Sequence, residues 1–247
     1  MKAEHWYQAQ RVHYDHRPHR HLLPGSGSFY AENIVDKLWR ALGTDAQSHG
    51  IELGCGAGRF TLPLLARCAR LEAVDLSSGQ LDRLGAALRE TGVEPGRCIL
   101  HELNAEEGTG ALPADRYDFL VGVFLLHHLH NPTAALARWL PVLRPGGRVA
   151  FLEPNRLNPL FLFQIACCAD MTWREERRLY QHGPRSLLAM LTRAGFVHCR
   201  VQRAGFFPPQ VLNRFPQALE FEHRLEQWRW LNPVLPFLMV TAERAAP

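Results

Sequence analysis

Short apolar runs alternate with amphipathic segments along most of the chain. Apolar residues recur at helical spacing between about Phe29 and Leu42, so this segment is predicted to be a helix with one buried face that ends at Gly43. Further helices are predicted at Thr61–Ala69, Gly79–Thr91, Thr133–Leu143 and Arg185–Gly195. The apolar runs are predicted to be strands, at His49–Leu53, Leu71–Asp75, Cys98–Leu103, Tyr117–Phe124, Val149–Asn155, Val197–Arg203 and Phe237–Ala242. Strands that alternate with helices in this way predict an α/β protein with a largely parallel sheet.

The composition is that of a folded protein without a strong charge. The chain has 247 residues, 47% of them hydrophobic, and a formal net charge of +4, so we expect one domain with a packed core. The arginines are scattered, so nucleic acid is not an expected partner. The six cysteines show no CxxC pair or metal-ligand spacing, which favours reduced thiols in a cytoplasmic protein. The amino terminus does not look like a signal peptide, and no apolar run is long enough to span a bilayer.

The first 24 residues combine aromatic side chains with five histidines, His5, His13, His16, His19 and His21. Histidine is a common metal ligand, but neither cysteine nor clustered carboxylates accompany these residues. We therefore favour a polar, partly helical lid over a metal site, and no metal is predicted.

The last third of the chain has two apolar segments outside the predicted strands. Leu157–Ala169 is too short to cross a bilayer and predicts a helix over the active site, with binding at a membrane surface as the alternative. An insertion that opens at Phe206–Pro209 carries five large apolar residues, Phe215, Phe221, Trp228, Trp230 and Leu231. These residues build either a cap on the substrate pocket or ordinary packing, and both interpretations stay open.

A glycine-rich turn follows the first predicted strand. Gly54, Gly56 and Gly58 alternate with small residues, and such glycines allow positive φ and close approach of a ligand to the backbone. The N–H groups that open the next helix point toward the turn. Asp75 ends the second strand, at about the distance from the turn where α/β nucleotide folds have an acidic ribose ligand. Alternatively, Asp75 only caps the next helix, for which Ser78 is the expected N-cap.

The spacing G-x-G-x-G, with Glu52 two residues before the first glycine, resembles class I S-adenosylmethionine (SAM) methyltransferases. Two further motifs resemble the ubiquinone-biosynthesis type of this family, Leu126–Leu129 followed by Asn-Pro, and the turn Leu143–Gly147. The resemblance covers about residues 49–155. It implies a Rossmann-like, doubly wound sheet of seven strands, mostly parallel with the last antiparallel. It also implies one domain (1–247) with an N-terminal helical lid (1–43), a SAM-binding core (44–155) and a C-terminal cap with the last strands (156–247).

The resemblance also implies how the cofactor is held. Asp75 would accept hydrogen bonds from both ribose hydroxyls, Leu76 would pack on the adenine, and Asn104 would replace the family's aspartate at the adenine amine. Glu106 and Glu107 are expected to be solvated. The full set of expected cofactor contacts is Tyr14, Glu52, Gly54, Cys55, Gly56, Gly58, Asp75, Leu76, Asn104, Ala105, Val123 and Phe124.

Three residues are candidates for a general base, which methyl transfer needs only if the acceptor must lose a proton early. His127 and His128 follow the fourth strand, where open α/β sheets bind their ligands, and each is either a base or a structural residue. Glu153, at the end of the fifth strand, is either a base or a hydrogen-bond anchor.

The expected activity is methyl transfer from SAM to an oxygen or nitrogen of a hydrophobic or aromatic small molecule, with S-adenosylhomocysteine (SAH) as the product. A quinone or lipid-linked acceptor at a membrane surface is the second hypothesis, and a non-catalytic SAM-binding protein is the third. An NAD(P) oxidoreductase is disfavoured, since neither G-x-G-x-x-G nor Tyr-x-x-x-Lys is present. Peripheral membrane contact and a homodimer are left open.

Overall fold

The computed structural model describes residues 28–159 and 182–246, together with Tyr7, Arg11 and Phe161. The helices are α1 (Phe29–Leu42), α2 (Thr61–Leu65), α3 (Ser78–Glu90), α4 (Pro132–Trp139), α5 (Pro184–Arg193), α6 (Pro209–Arg214) and α7 (Ala218–Glu226). The strands are β1 (His49–Leu53), β2 (Arg70–Asp75), β3 (Cys98–Glu102), β4 (Tyr117–Val123), β5 (Leu143–Pro154), β6 (Val197–Ala204) and β7 (Phe237–Glu243). Short 3-10 turns lie at Leu126–His128, Leu140–Val142 and Asn232–Val234.

The seven strands form one sheet in the order β3-β2-β1-β4-β5-β7-β6. Strands β1 to β5 pair in parallel, whereas β7 is antiparallel to both β5 and β6. The predicted seven-stranded, mostly parallel fold with a final antiparallel strand is therefore confirmed. The strand order reverses between β1 and β4, so a crevice opens at their carboxyl ends, where such sheets bind ligands.

Two hydrophobic clusters cover the two faces of the sheet. One cluster contains residues of α1, α2 and α3, and the other contains residues of α4 and α5. Side chains of β4 alternate between the clusters, with Phe119 in one and Leu120 in the other, and both are fully buried. Cover on both faces explains why this strand is a nearly continuous apolar run.

Helix α1 has the predicted bounds because both ends are capped. The Ser28 side chain accepts a hydrogen bond from the Ala31 N–H at 3.3 Å, which satisfies one of the free donors of the first turn. Gly43 adopts φ +60° and donates its N–H to the Trp39 carbonyl, as a glycine commonly does at a helix end.

Other boundaries differ from the prediction. Helix α3 begins at Ser78, and its N-cap is Ser77, whose side chain accepts from the Gln80 N–H, so the expectation of Ser78 as N-cap was wrong. The predicted turn at Leu143–Gly147 lies inside β5, as a bulge where the register with β4 shifts. This segment pairs with the chain after β7, since the Arg244 N–H donates to the Gly147 carbonyl at 2.8 Å.

Several predictions lie outside the described residues. They concern the N-terminal histidines, Tyr14 and most of the apolar segment Leu157–Ala169. Among the helices that the structure describes, none is long and apolar enough to cross a membrane.

Candidate functional site

The glycine turn after β1 closes directly over the end of β2. Gly54, Gly56 and Gly58 have φ values of +71°, +52° and +95°, which favour glycine. The Gly54 N–H donates to the Val74 carbonyl at 2.8 Å. A Cβ atom on Gly58 would lie 2.4 Å from Leu84 of α3, whereas one on Gly56 would have nothing within 4 Å. Gly58 therefore allows α3 to pack, and Gly56 faces open space that a ligand can occupy.

Asp75 ties this turn to the end of β2. One carboxylate oxygen accepts from the Gly56 N–H at 2.7 Å, and the other accepts from the Ser77 N–H at 2.9 Å. The side chain is half-buried. A carboxylate can accept from two adjacent hydroxyls at once, so Asp75 stays the candidate ribose ligand. The side-chain cap of α3 is Ser77, which leaves the ribose role open to Asp75.

Glu52 and Cys55 lie beneath the turn. Glu52 is 2% exposed and accepts the Thr61 hydroxyl at 2.6 Å. Burial raises the pKa of Glu52 to about 8, and the nearby charge of Asp75 adds to the effect. Burial also raises the pKa of the Cys55 thiol, so burial favours the neutral form of both side chains.

The segment after β3 is fastened to the segment after β4. The Asn104 carbonyl oxygen accepts from the Glu106 N–H at 3.0 Å. Glu106, which we expected to be solvated, is 9% exposed and accepts from the backbone N–H groups of His130 and Asn131. That expectation was wrong because a buried carboxylate here satisfies two donors of the next loop. Ala105 is 9% exposed beside it.

The N-terminal segment reaches this edge of the sheet at Arg11. Its guanidinium donates to the Leu76 carbonyl at 3.2 Å and to the Glu102 carboxylate at 2.9 Å. Arg11 thus lies at the carboxyl ends of β2 and β3, beside the residue that is expected to pack on the adenine.

Glu153 holds the loop that follows β4. It is fully buried and accepts from the N–H groups of Leu125 and Leu126 at 2.9 and 2.8 Å, and from His127 Nδ1 at 2.6 Å. Burial opposes ionisation of this carboxyl, but the attraction of His127 and the backbone N–H bonds outweigh it, so the pKa of Glu153 is lowered. These contacts are those of a hydrogen-bond anchor.

The two histidines differ in exposure. His127 is 2% exposed and bonded to Glu153, whereas His128 is half-buried and lies with its ring centroid 4.0 Å from that of His127. Of the three candidate bases, His128 is therefore the one with surface that an acceptor can contact.

A row of aromatic side chains borders the turn. Phe124, with φ +56° directly after β4, lies between Phe60 and Phe237, at ring-centroid distances of 6.4 and 5.5 Å. The Arg59 guanidinium lies over the rings of Tyr30 and Phe60, at 5.2 and 5.3 Å. We call the four aromatic residues, Tyr30, Phe60, Phe124 and Phe237, the aromatic row.

Sequence reasoning found only Phe124 of this row. Arg59 and Phe60 follow the last glycine of the turn and could have been noticed for that reason. Tyr30 and Phe237 come from the two ends of the chain, and no local pattern connects them.

The insertion after β6 is anchored to α1 rather than packed by its aromatic residues. Glu222 is 1% exposed and accepts from Asn33 Nδ2 at 3.1 Å, from Lys37 Nζ at 3.0 Å and from two backbone N–H groups. The aromatic residues expected in a cap or in packing are largely exposed, Phe215 at 50%, Phe221 at 51%, Trp228 at 46% and Trp230 at 71%. That exposure does not fit ordinary packing, and the cap on the substrate pocket stays a prediction.

A separate cavity of about 200 Å³ lies between α4 and α5 and is lined by residues that include Thr133, Met190 and Arg193. None of the expected cofactor contacts lines it. Within the described ranges, no three His, Cys, Asp or Glu side chains are grouped so as to hold a metal ion.

The sheet order, the glycine turn and the acidic residue after β2 define a class I SAM-dependent methyltransferase fold. Residues 51–151 match the family model described as "Methyltransferase domain", so this segment of the chain is similar to that family.

Known relatives agree with this assignment. The chain is 30% identical over 115 residues to a ubiquinone biosynthesis O-methyltransferase of Aromatoleum aromaticum, covering 47% of each chain. It is 27% identical over 123 residues to an S-adenosyl-L-methionine-dependent Diels-Alderase of Talaromyces variabilis, covering 50% of this chain and 42% of that protein. The chain thus spans about half the length of the curated relatives it matches.

Among solved structures, the chain is similar to geranyl diphosphate C-methyltransferase from Streptomyces coelicolor A3(2). The TM-score is 0.66 at 14% identity, and the match covers 97% of this chain and 98% of that one. At this identity the likeness concerns the fold.

Proposed function

We propose that the protein is a SAM-dependent methyltransferase that methylates an oxygen or nitrogen of a hydrophobic or aromatic small molecule. The observation that carries the proposal is the hydrogen bond between Asp75 and the Gly56 N–H at 2.7 Å. It joins the acidic residue that ends β2 to an open glycine turn at the carboxyl end of β1, beside the point where the strand order reverses and where such sheets bind ligands.

The described residues fit SAM at this site. Gly56 leaves open space, Asp75 offers carboxylate oxygens for the ribose hydroxyls, and Leu76 and Ala105 offer apolar surface near the ends of β2 and β3. When bound, SAM supplies a methyl group that is already electrophilic. The chain then has to hold an acceptor in line with that methyl group and exclude water.

The aromatic row supports an aromatic or hydrophobic acceptor, because Phe124 and its neighbours border the turn with apolar surface. In the transfer, the acceptor lone pair forms a bond to the methyl carbon as the carbon–sulfur bond breaks, which leaves SAH. A hydroxyl or neutral amine acceptor also loses a proton, which passes to His128, the proposed base. Glu153 positions the loop that carries His128.

The test is incubation of the protein with isotopically labelled SAM and a panel of phenols, catechols and aromatic amines. We expect labelled product together with SAH, and turnover that falls in His128→Ala while SAH affinity stays unchanged. SAH binding without product from any acceptor would favour a SAM-binding protein that transfers no methyl group.

A lipid-linked acceptor at a membrane surface is a second candidate, favoured by the exposed aromatic residues of the insertion. Trp228 and Trp230 stack at 5.6 Å between ring centroids, and amphipathic rings of this kind favour membrane interfaces. The exposed charges of the insertion are mostly basic. Glu222 and Glu226 bond inward to Lys37, whereas three arginines, Arg214, Arg224 and Arg229, and one glutamate, Glu220, are exposed. An aromatic and basic surface complements anionic lipid.

Co-sedimentation with vesicles that contain anionic lipid tests this candidate. We expect binding that falls about tenfold when both Trp228 and Trp230 are changed to serine, with Ile99→Ser, an exposed apolar residue on β3, as the matched control. Equal binding of all three proteins would contradict it. If light scattering showed that the double tryptophan variant loses a dimer but keeps its vesicle binding, the exposed aromatic surface would be assigned to contact with a second copy of the chain.

A further inference from the structure

Arg59 carries a charge in an unusual place. Its guanidinium lies over two rings, Tyr30 and Phe60, that are 4% and 8% exposed, and Arg59 itself is half-buried. Burial lowers the pKa of this guanidinium below its ordinary value. The cation–ring contacts hold the group in place but offer no acceptor for its N–H donors.

No carboxylate or carbonyl in the described part of the chain accepts a hydrogen bond from Arg59. Two other half-buried arginines differ in this respect. Arg67 donates to Asp36 at 2.9 Å, and Arg97 donates to the carbonyls of Leu65 and Cys68. Taking a cation partly out of water without a hydrogen-bond acceptor costs free energy, and a bound anion would offset that cost.

Arg59 lies where a ligand would supply the missing partner. It directly follows Gly58 of the cofactor turn, and Phe60 leads through Phe124 to Phe237 along the carboxyl edge of the sheet. The guanidinium is thus at one end of an apolar wall and beside the turn.

We propose that Arg59 binds an anionic oxygen group, a carboxylate, sulfonate or phosphate, between the glycine turn and the aromatic row. The planar fork of arginine suits such a group, and the rings of Tyr30 and Phe60 hold that fork in one orientation. This inference rests on the proposed function and narrows its ligands. The anion has two sources, the carboxylate of the cofactor or an anionic group on the acceptor.

Binding experiments on the full chain separate the two sources. Calorimetry compares SAH with 5′-methylthioadenosine, which lacks the amino-acid carboxylate. Ligand-observed NMR compares 4-hydroxybenzoate with its neutral counterpart 4-hydroxybenzamide, with and without saturating SAH. The proteins are the unaltered chain, Arg59→Met, Arg59→Lys and the control Arg40→Met, which removes an exposed arginine of α1.

We expect Arg59→Met to lose at least about tenfold affinity for one anionic ligand and little for its neutral counterpart, with a smaller loss in Arg59→Lys. A loss for SAH alone identifies the cofactor carboxylate, and a loss for 4-hydroxybenzoate alone identifies an acceptor anion. Unchanged affinity for both anions in Arg59→Met overturns the proposal. Failure of the unaltered chain to bind SAH would contradict the proposed function instead, and the 4-hydroxybenzoate arm without SAH would still test Arg59.

The melting temperature gives a structural control. Because Arg59 has no acceptor, Arg59→Met should melt at the same temperature or higher. A large fall in the melting temperature of Arg59→Met would mean that the guanidinium stabilises the fold. The affinities of Arg59→Lys for the anionic ligands would then decide between a stabilising role and anion binding.

Discussion

At the scale of single residues, Asp75 links the turn to the expected ribose site. Asp75→Ala should weaken SAH binding at least about tenfold, since a carboxylate that accepts from two hydroxyls makes charge-assisted hydrogen bonds. Calorimetric titration measures the effect, and Asp82→Ala, an exposed carboxylate of α3, is the control. An unchanged affinity in a variant that still folds would remove Asp75 from the site.

Glu52 gives a pH-dependent prediction at the same scale. Its pKa is raised to about 8 in the folded chain, whereas an unfolded glutamate titrates near 4.3. Between these values the unfolded chain releases a proton that the folded chain retains, so Glu52 lowers the stability of the protein as the pH rises from about 4.3 to 8.

Glu52→Gln removes this titration and keeps an acceptor for the Thr61 hydroxyl. We expect the melting temperature of the variant, relative to that of the unaltered chain, to rise between pH 5 and pH 8, by about 3 °C or more. Glu94→Gln, at an exposed position, should show no such trend. A difference that is constant with pH would contradict the raised pKa.

Whether a site residue can be predicted from the sequence depends on how far along the chain its partners lie. The glycines and Asp75 were found because their spacing is local and strict. The contacts of Glu153 with the loop after β4 could not be found, since they span 26 to 28 residues. Arg59 was overlooked because an arginine in a turn is ordinarily solvated, and only the fold brings Tyr30 over it.

At the scale of helices and strands, prediction succeeded where caps and apolar runs act locally. Helix α1 and strand β1 have their predicted bounds. Helix α2 ends four residues earlier than predicted, at Leu65, and the predicted turn at Leu143–Gly147 belongs to β5. The second error arises because pairing with Arg244, about a hundred residues away, keeps that segment in the sheet.

The insertion gives a prediction at this scale. Lys37 of α1, 9% exposed at its side chain, bonds both Glu222 and Glu226 of α7. Lys37→Met leaves Glu222 buried without its cation, which should destabilise the protein by about 3 kcal/mol and lower the melting temperature by about 6 to 12 °C.

A double variant separates charge from packing. Lys37→Met combined with Glu222→Gln should recover part of the loss, because glutamine still accepts from Phe206 and Phe207 but carries no buried charge. Trp230→Ser, at a side chain that is 71% exposed, should leave the melting temperature unchanged. If the double variant were less stable than Lys37→Met, the charge of Glu222 would stabilise the protein even without Lys37.

At the scale of the whole molecule, the expected cofactor contacts other than Tyr14 lie at or just beyond the carboxyl ends of β1, β2, β3 and β4. A ligand that joins four strand ends stabilises the folded chain as a unit, and its contribution follows from mass action. At a concentration one hundred times its dissociation constant, a ligand adds about 2.7 kcal/mol. For a chain of 247 residues, SAH at that level should raise the melting temperature by about 5 to 10 °C.

The same experiment distinguishes the two cofactor classes that share this architecture. NADH should cause no shift, because the turn has the spacing G-x-G-x-G, and Asp75→Ala should lose most of the SAH effect. Amide exchange should slow at the turn 54–58 and at 75–77 when SAH binds, and should stay unchanged in the edge strand β6, which lies at the far side of the sheet. If NADH gave an equal shift and slowed the same amides, the turn would be a general nucleotide site, and the SAM assignment would have to be replaced by one based on the shared adenosine.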